Sequence, residues 1–404
     1  MKKRFSILSA CLLALCGVGL GVVLCYIWAQ PWLPGGAKYA AAQTTDSSFA
    51  KLDEIQAYLD YYFIGDLDEQ KLLDNASAGL IAGTGDRWSY YISADDMAAY
   101  QEQMENAYVG VGITIRANGT EDGFVVVAVT RGGPAEAAGV QPGDELIAVG
   151  GEDAWTLGMD ETKARVRGEA GSDVELTFRR EDEPYTVTLT RASVPVEVVK
   201  WSMLEDQIAL ITIANFDANA CRDAVAAIEE ARDAGAQGLI FDVRNNPGGR
   251  KVELVELLDY LLPEGPLFRS TSYTGKSEVD QSDARCLEMP MAVLVNADSY
   301  SAAEFFAEAL QEYEWATVVG TGTSGKGYYQ NTFTLSDGSA IAISTGEYRT
   351  PQDKSLVGVG ITPDITVTLS DEDYVQQYYG LLDWTEDAQI LAALDDVKTQ
   401  ISES

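Results

Sequence analysis

The sequence contains no histidine. That absence removes every Ser-His-Asp or Cys-His route to an activated nucleophile, and with it the commonest zinc ligand. Cysteine is scarce as well. Of the five, Cys11, Cys16 and Cys25 fall in one N-terminal apolar stretch, which leaves Cys221 and Cys286 for the rest of the chain. No CxxC spacing occurs, so no metal is expected; a Cys221–Cys286 disulfide stays open. Positive charge is also short, with 28 Lys and Arg against 63 Asp and Glu and a net charge of −35. Nothing in that balance neutralises phosphates, so nucleic acid is not an expected partner. The charge suits a solvated protein outside the cytosol. What is present is length and apolar content: 404 residues, 46% of them hydrophobic, enough for two or three packed domains.

Without histidine, a hydroxyl nucleophile needs another base. A lysine serves if burial lowers its pKa far enough to populate the neutral amine. The stretch Met291–Asn331 carries such a pair. The apolar run Met291–Val295 ends in a polar turn, and Ser301 stands at the head of the amphipathic run Ala302–Leu310. A second apolar run, Ala316–Val319, leads to a glycine-rich loop in which Lys326 lies among Thr323, Ser324, Gly325 and Gly327. Each residue has a plainer reading. Ser301-Ala302-Ala303-Glu304 is a capping box, and Gly320–Lys326 matches the start of a phosphate-binding loop, G-x-x-x-x-G-K. The next residue is Gly327 rather than Ser or Thr, and Tyr328–Leu335 alternates like a strand, so no helix N-terminus meets a phosphate. As a nucleophile, Ser301 would use the same helix start differently, with the N–H of Ala302 facing a developing oxyanion.

Lys2, Lys3 and Arg4 precede an uncharged apolar run, Phe5–Trp28, of about 24 residues. That length matches a bilayer core of ~30 Å crossed as a helix and exceeds the ~7–15 residues of a signal-peptide core. An uncleaved anchor with its basic tip inside is the expectation, a cleaved signal peptide the competing one. A Pro-, Gly-, Ala- and Ser-rich linker follows. Leu52, Ile55, Leu59 and Tyr62 then recur at helical spacing, as do Leu72, Leu73, Ala76, Leu80 and Ile81. The turn Gly85–Tyr91 and a third helix around Ala94–Met104 complete a helical region, packed on its own leucines and tyrosines, to which no chemical role attaches.

Tyr108 to about Ala192 reads as a compact β-rich module. Tyr108–Ile113 opens it, Phe124–Val129 is a second strand, and Gly133–Val140 a short glycine-capped helix. The pairing of GVGI with GPAEAAGVQPGDEL resembles a PDZ domain. In its opening loop the N–H groups of Val111, Gly112 and Ile113 can converge on the terminal carboxylate of a peptide that adds a strand to the sheet edge; the plain reading is a tight glycine turn. From Val196 the pattern becomes α/β. Leu239–Val243 is a buried strand followed by Arg244-Asn245-Asn246-Pro247-Gly248-Gly249 and the helix Val252–Leu262. Free N–H groups at such a turn can hold an oxyanion, although glycine is common in any βα turn. Phe268–Leu287 is read as a spacer.

Taken jointly, GDRWSYY, the PDZ-like module, DVRNNPGG, SYSAAE, GTGTSGKGYYQ and GEYRTPQD…GVGITPDI make the chain resemble the carboxyl-terminal processing peptidases, also called tail-specific proteases. In that family the serine before the A-x-E turn is the nucleophile, the lysine of the G-K-G loop follows 25 residues later and a glutamine four beyond it, which falls here on Ser301, Lys326 and Gln330. The resemblance implies that Gln330 holds the lysine amine and that the oxyanion donors are the N–H groups of Ala302 and of Gly248 or Gly249. It departs from the family at Ala303, where a second serine is common, at Ser324, near which Phe is common, and at Arg250 and Lys251, which stand in place of leucines.

The expected fold is an α/β, crotonase-like protease core with an inserted β-rich PDZ domain, a helical N-terminal cap and a transmembrane anchor helix. The expected order is tip and anchor over 1–30, linker over 31–48, helical region over 49–105, PDZ domain over 106–192, protease core over 193–370 and C-terminal helical tail over 371–404. The function implied is a serine endopeptidase of a bacterial cell membrane, single-pass, N-terminus cytoplasmic and catalytic part extracytoplasmic. It would bind protein or peptide substrates by their C-termini, with apolar tails preferred, and need no cofactor. A homo-oligomer or an activating partner stays open. The alternative is an inactive PDZ-type peptide-binding scaffold in which Ser301 is only a cap.

Overall fold

The computed structural model describes residues 50–117 and 123–403. The chain divides into two units, residues 1–79 and 80–404. In the first, the described part is helical: α1, Ala50–Tyr62, and α2, Glu69–Ala82, whose last turn belongs to the second unit. Both helices follow the expected spacing, but neither buries a residue. The packed helical cap is therefore not what forms; Leu52, Ile55, Tyr58 and Tyr62 remain exposed.

The second unit starts with β1, Tyr90–Ile92, and α3, Met97–Met104. Next comes β2, Ala107–Gly110, which pairs antiparallel with β9, Ala192–Pro195, in the register Ala107↔Pro195. This pair is the stem of the β-rich module. Between its strands run β3 (Ile113–Ala117), β4 (Phe124–Val129), α4 (Pro134–Ala137), β5 (Glu145–Val149), β6 (Glu152–Asp153), α5 (Ala154–Leu157), α6 (Met159–Val166), β7 (Asp173–Arg180) and β8 (Glu183–Thr190). The sheet order is β3-β4-β5-β7-β8, with β6 on β5. Alternate residues point inward as a half-buried strand requires: Val174, Leu176 and Phe178 of β7 join Val126, Leu146 and Ala135 in a core separate from the rest of the molecule.

The larger sheet has the order β10-β11-β12-β15-β16-β19, built from Val199–Met203, Ile208–Ile213, Gly238–Asp242, Met291–Val295, Thr317–Gly320 and Ile365–Thr366. Only the β10–β11 pair is antiparallel. Parallel strands need crossovers, supplied by α7 (Ala220–Asp233), α8 (Lys251–Leu261) and α9 (Ala302–Glu312). All five residues of β12 and of β15 are buried, the signature of strands covered on both faces. One face packs Phe241 on Phe306 and Leu257 under α7, α8 and α9. The other packs Ile240, Leu294 and Val319 against Ile390, Leu394 and Val397 of the C-terminal helix Ala388–Glu403.

A second, antiparallel sheet has the order β1-β18-β13-β14 with β17 also on β18, using Gly265–Ser272 (β13), Ser277–Ser282 (β14), Tyr328–Thr334 (β17) and Ala340–Arg349 (β18). The stretch read as a spacer thus holds a strand pair. Its signal was weak because β14 is mostly exposed and has no apolar alternation. The helices Asp371–Tyr378 (α10) and Ala388–Glu403 (α11) close the chain. Cys221 and Cys286 are free thiols, so the disulfide does not form.

The transmembrane anchor requires correction. A span needs about 20 apolar residues, and among the described residues no helix is long and apolar enough to cross a membrane. The longest, α11, has 16 residues, and Asp395, Asp396 and Lys398 lie in it. The run Phe5–Trp28, on which the expectation fell, lies outside the described residues. The fold is a mixed α/β protein with a β-rich module, and the single-pass placement, the extracytoplasmic catalytic part and the membrane as a partner are withdrawn.

Candidate active site

Two βα turns of the larger sheet meet at Ser301. The first follows β15, where Asn296 organises the chain: its side-chain oxygen accepts the N–H of Asn245 at 3.0 Å and of Asp298 at 3.1 Å, and its amide donates to Asn245 Oδ1 at 2.7 Å. The second turn, Arg244–Gly249, follows β12. Tyr300 donates its N–H to the Asn246 carbonyl at 3.1 Å, so the two turns are stitched side by side. Ser299 is fully buried, and its hydroxyl donates to the Val243 carbonyl at 2.7 Å. That hydroxyl is structural. Ser301, by contrast, heads α9 with φ 57° and ψ −125°. A non-glycine residue there costs roughly 1–3 kcal/mol and persists only where its surroundings impose it.

The imposing neighbour is Gly248. A Cβ on it would lie 2.7 Å from Ser301 Cβ and 2.8 Å from Ala302 N. Only glycine permits that approach, and it also adopts the required φ of 89°. Among the expected oxyanion donors, the Gly248 N–H donates to Asn246 Oδ1 at 2.8 Å. Gly249 follows with its backbone bridged to Phe216.

Glu304 joins the Ser301 turn to the lysine loop. It is fully buried. One carboxylate oxygen accepts the N–H of Ser301 at 3.0 Å and of Lys326 at 2.9 Å; the other accepts the N–H of Gly325 at 2.7 Å and the Thr323 hydroxyl. Burial pushes this carboxyl above its ordinary value, against the opposing pull of its donors. The capping-box reading captured the bond to Ser301; the three to the distant loop have no local signature.

Lys326 is the titratable group of interest. Its pKa falls to about 8, chiefly through burial, with Asp86 and Glu304 opposing and Arg87 reinforcing the fall. The amine lies 4.9 Å from the Trp88 ring and 5.6 Å from the Tyr300 ring. Ser301, Lys326, Gln330, Gly248 and Gly249 line one cleft of about 770 Å³. Gln330 is in the cleft but not on the lysine: its amide donates to Ser344 Oγ at 2.9 Å and the Tyr328 carbonyl at 3.0 Å. No hydrogen bond joins it to Lys326 among the described residues. Val111, Gly112 and Ile113 line a different groove, between β3 and α6, with Lys163 and Val166. The carbonyls of Val111 and Gly112 accept from Ala135 N–H at 2.8 Å and Thr130 N–H at 2.9 Å, which ties the loop to α4 and the turn before it.

Comparison with known proteins agrees with this architecture. Residues 207–367 match the model of peptidase family S41, and residues 125–180 match a PDZ domain. The carboxyl-terminal-processing protease of Synechocystis sp. is 36% identical over 64% of this chain and 62% of its own length. The carboxy-terminal processing protease CtpA of Bacillus subtilis is 29% identical over 82% of this chain and 71% of that one. These matches support the carboxyl-terminal processing peptidase family. A probable CtpA-like serine protease of Staphylococcus aureus is 28% identical over 90% of this chain and 73% of its own. The chain thus spans a little under two thirds of the Synechocystis relative's length and somewhat more of the other two.

Further groups line the cleft outside the Ser301, Lys326 and Gly248-Gly249 motifs. Arg87 and Trp88 line it together with Ser301 and Lys326, although 238 residues separate Trp88 from Lys326. Asp217 also lines it, buried, with Oδ1 lacking a partner among the described residues. Burial pushes its carboxyl up to about 7, with Arg250 opposing and Glu253 and Glu105 reinforcing the rise. Arg87 and Trp88 fall in the GDRWSYY stretch, to which the sequence attached no chemical role, and Asp217 stands in none of the motifs. Asp242 and Arg244 of the DVRNNPGG stretch prove architectural. Arg244 is buried and pairs with Asp242 at 2.7 Å and with Asp387, from the loop before α11, at 2.8 Å.

Proposed function

We propose that Ser301 and Lys326 form the catalytic dyad of this peptidase, and that the PDZ groove presents it with substrate C-termini. Neutral Lys326 accepts the Ser301 proton as Oγ attacks the scissile carbonyl. The N–H of Ala302 and of Gly249 are the donors assigned to the oxyanion, since the Gly248 N–H already serves Asn246. The Lys326 ammonium then gives its proton to the departing amine, and an acyl-enzyme remains on Ser301. Water attacks that ester with Lys326 again as base, which releases the acid and restores the serine. Glu304 holds both main chains of the dyad in register, and Gln330 borders the cleft as a positioning group.

The observation that carries this reading is the combination of a strained Ser301 with a buried lysine whose pKa falls to about 8 in the same cleft. A solvated lysine is a cation at neutral pH and cannot act as a base; a desolvated one can. Tail capture rests on the N–H groups of Val111, Gly112 and Ile113 at the end of a groove whose edge strand, β3, is open to an added peptide strand.

The test is cleavage of an unfolded reporter protein with an apolar C-terminus by the full chain, followed by mass spectrometry. Ser301→Ala and Lys326→Ala each lose turnover by a factor on the order of 10⁴ or more, with tail binding retained. Equal cleavage by all three proteins contradicts the dyad.

A further inference from the structure

The turn Asp86-Arg87-Trp88 lies against the lysine loop and has no part in the proton transfers just described. Its placement is specific. Arg87 donates to Ser324 Oγ at 2.8 Å and to the Ser324 carbonyl at 3.3 Å, two residues before Lys326. Ser89 Oγ accepts the Ser344 N–H at 3.0 Å, and β1 then pairs with β18 in the register Tyr90↔Ala342. Asp86 accepts the Trp88 N–H at 3.0 Å and the Ser89 hydroxyl at 2.6 Å. Two cations share one aromatic ring: the Arg87 guanidinium lies 4.1 Å from the Trp88 centroid and the Lys326 amine 4.9 Å. Trp88 in turn packs on Tyr300, the residue before the nucleophile, at 5.4 Å.

We infer that this turn is a positioning element for the base: Trp88 screens the Lys326 amine from water, and Asp86 and Arg87 set opposing charges beside it that fix the pH range in which the dyad works. The inference rests on the Ser301–Lys326 reading. The charged groups that act on the amine are Asp86 and Arg87 from this turn and Glu304 from α9. Tyr300 contributes its ring. Elsewhere along the cleft, Arg250 pairs with Glu105 and Lys251 with Asp280, each at 2.7–2.8 Å, while Asp217 and Glu278 also line it. Burial works to raise the Asp86 carboxyl, but its bonds to Ser344, Ser89 and the Trp88 N–H, with Lys326 nearby, bring it below its ordinary value. Asp86 is thus held as an anion, and the Arg87 guanidinium lies on the ring that the amine faces.

The signs follow from Coulomb's law. Removing the Arg87 charge favours the ammonium, so Lys326 titrates at higher pH. Removing the Asp86 charge favours the amine, so Lys326 titrates at lower pH. A turn with a purely structural role would weaken activity in both variants without moving the titration in opposite directions.

The experiment reads the Lys326 titration directly, by competitive acetylation of the full chain with acetic anhydride across a pH series and mass spectrometry of the Lys326 peptide. The acid limb of reporter cleavage is recorded on the same proteins. The wild-type midpoint is expected near pH 8. Arg87→Met is expected to raise it by about one pH unit and Asp86→Asn to lower it by about one, while Arg87→Lys, which keeps the charge, restores the wild-type value. No movement, or movement in the same direction in both variants, overturns the inference. If the acetylation midpoints move as expected and the cleavage limb does not follow, the turn tunes Lys326 but Lys326 is not the base, so the dyad reading fails on its own.

Discussion

One carboxylate oxygen of Glu304 holds the main-chain N–H of Ser301 at 3.0 Å and of Lys326 at 2.9 Å, so that a single buried atom ties the two backbones together. Glu304→Ala leaves four donors facing a void. A loss of about 3 kcal/mol or more in urea unfolding is expected. Glu304→Gln keeps the volume but replaces one acceptor with a donor, so it is expected to fold and still lose on the order of 10²-fold in turnover through misplacement of the dyad. Unchanged turnover in folded Glu304→Gln would show that the carboxylate caps a helix and nothing more.

The glycine turn makes a second, steric prediction. A methyl at residue 248 meets Ser301 Cβ at 2.7 Å and Ala302 N at 2.8 Å, and the φ of 89° disfavours alanine independently. Gly248→Ala is expected to lower stability by about 2 kcal/mol and to abolish reporter cleavage. A variant with wild-type thermal unfolding and wild-type activity would remove Gly248 from the site.

Tail capture predicts that a free carboxylate decides binding. An apolar-tailed peptide and its C-terminally amidated twin are titrated into the Ser301→Ala chain by calorimetry. The amidated peptide is expected to bind at least about tenfold more weakly, because the N–H groups of Val111, Gly112 and Ile113 then face a neutral group. Equal affinity would assign the groove of β3 and α6 to some other ligand feature.

Asp217 gives a pH prediction of stability. Its carboxyl is pushed up to about 7 from the usual 3.8, so between those values the folded chain holds a proton that the unfolded chain has lost. Folding stability contributed by this group is therefore full below pH 3.8 and is lost as pH rises through 7. Asp217→Asn cannot ionise. It is expected to be more stable than wild type at pH 8 by on the order of 2 kcal/mol, with the gain gone near pH 4. A gain that is constant with pH would point to packing instead.

The readable parts of this molecule were those whose signal is local. The buried strands Met291–Val295 and Gly238–Asp242 show as unbroken apolar runs, and the positions of Ser301 and Lys326 follow from motif spacing. The strand pair β13–β14 did not show, because its mostly exposed second strand has nothing to alternate. Glu304 showed half of its role, since a capping box is local and a bond across 22 residues to Lys326 is not. GDRWSYY carried part of the resemblance but gave Arg87 and Trp88 no role, because their partner lies on a loop reached only through the pairing of β1 with β18.

The most direct measurement of the central claim is covalent labelling of the full chain with a fluorophosphonate, which forms an Oγ–P bond on an activated serine and expels fluoride. Intact mass and peptide mapping locate the adduct. The dyad predicts one adduct, on Ser301, that is absent from Ser301→Ala and slowed on the order of 10³-fold or more in Lys326→Ala. An adduct on another residue, or labelling of Ser301 that ignores the loss of Lys326, would contradict it.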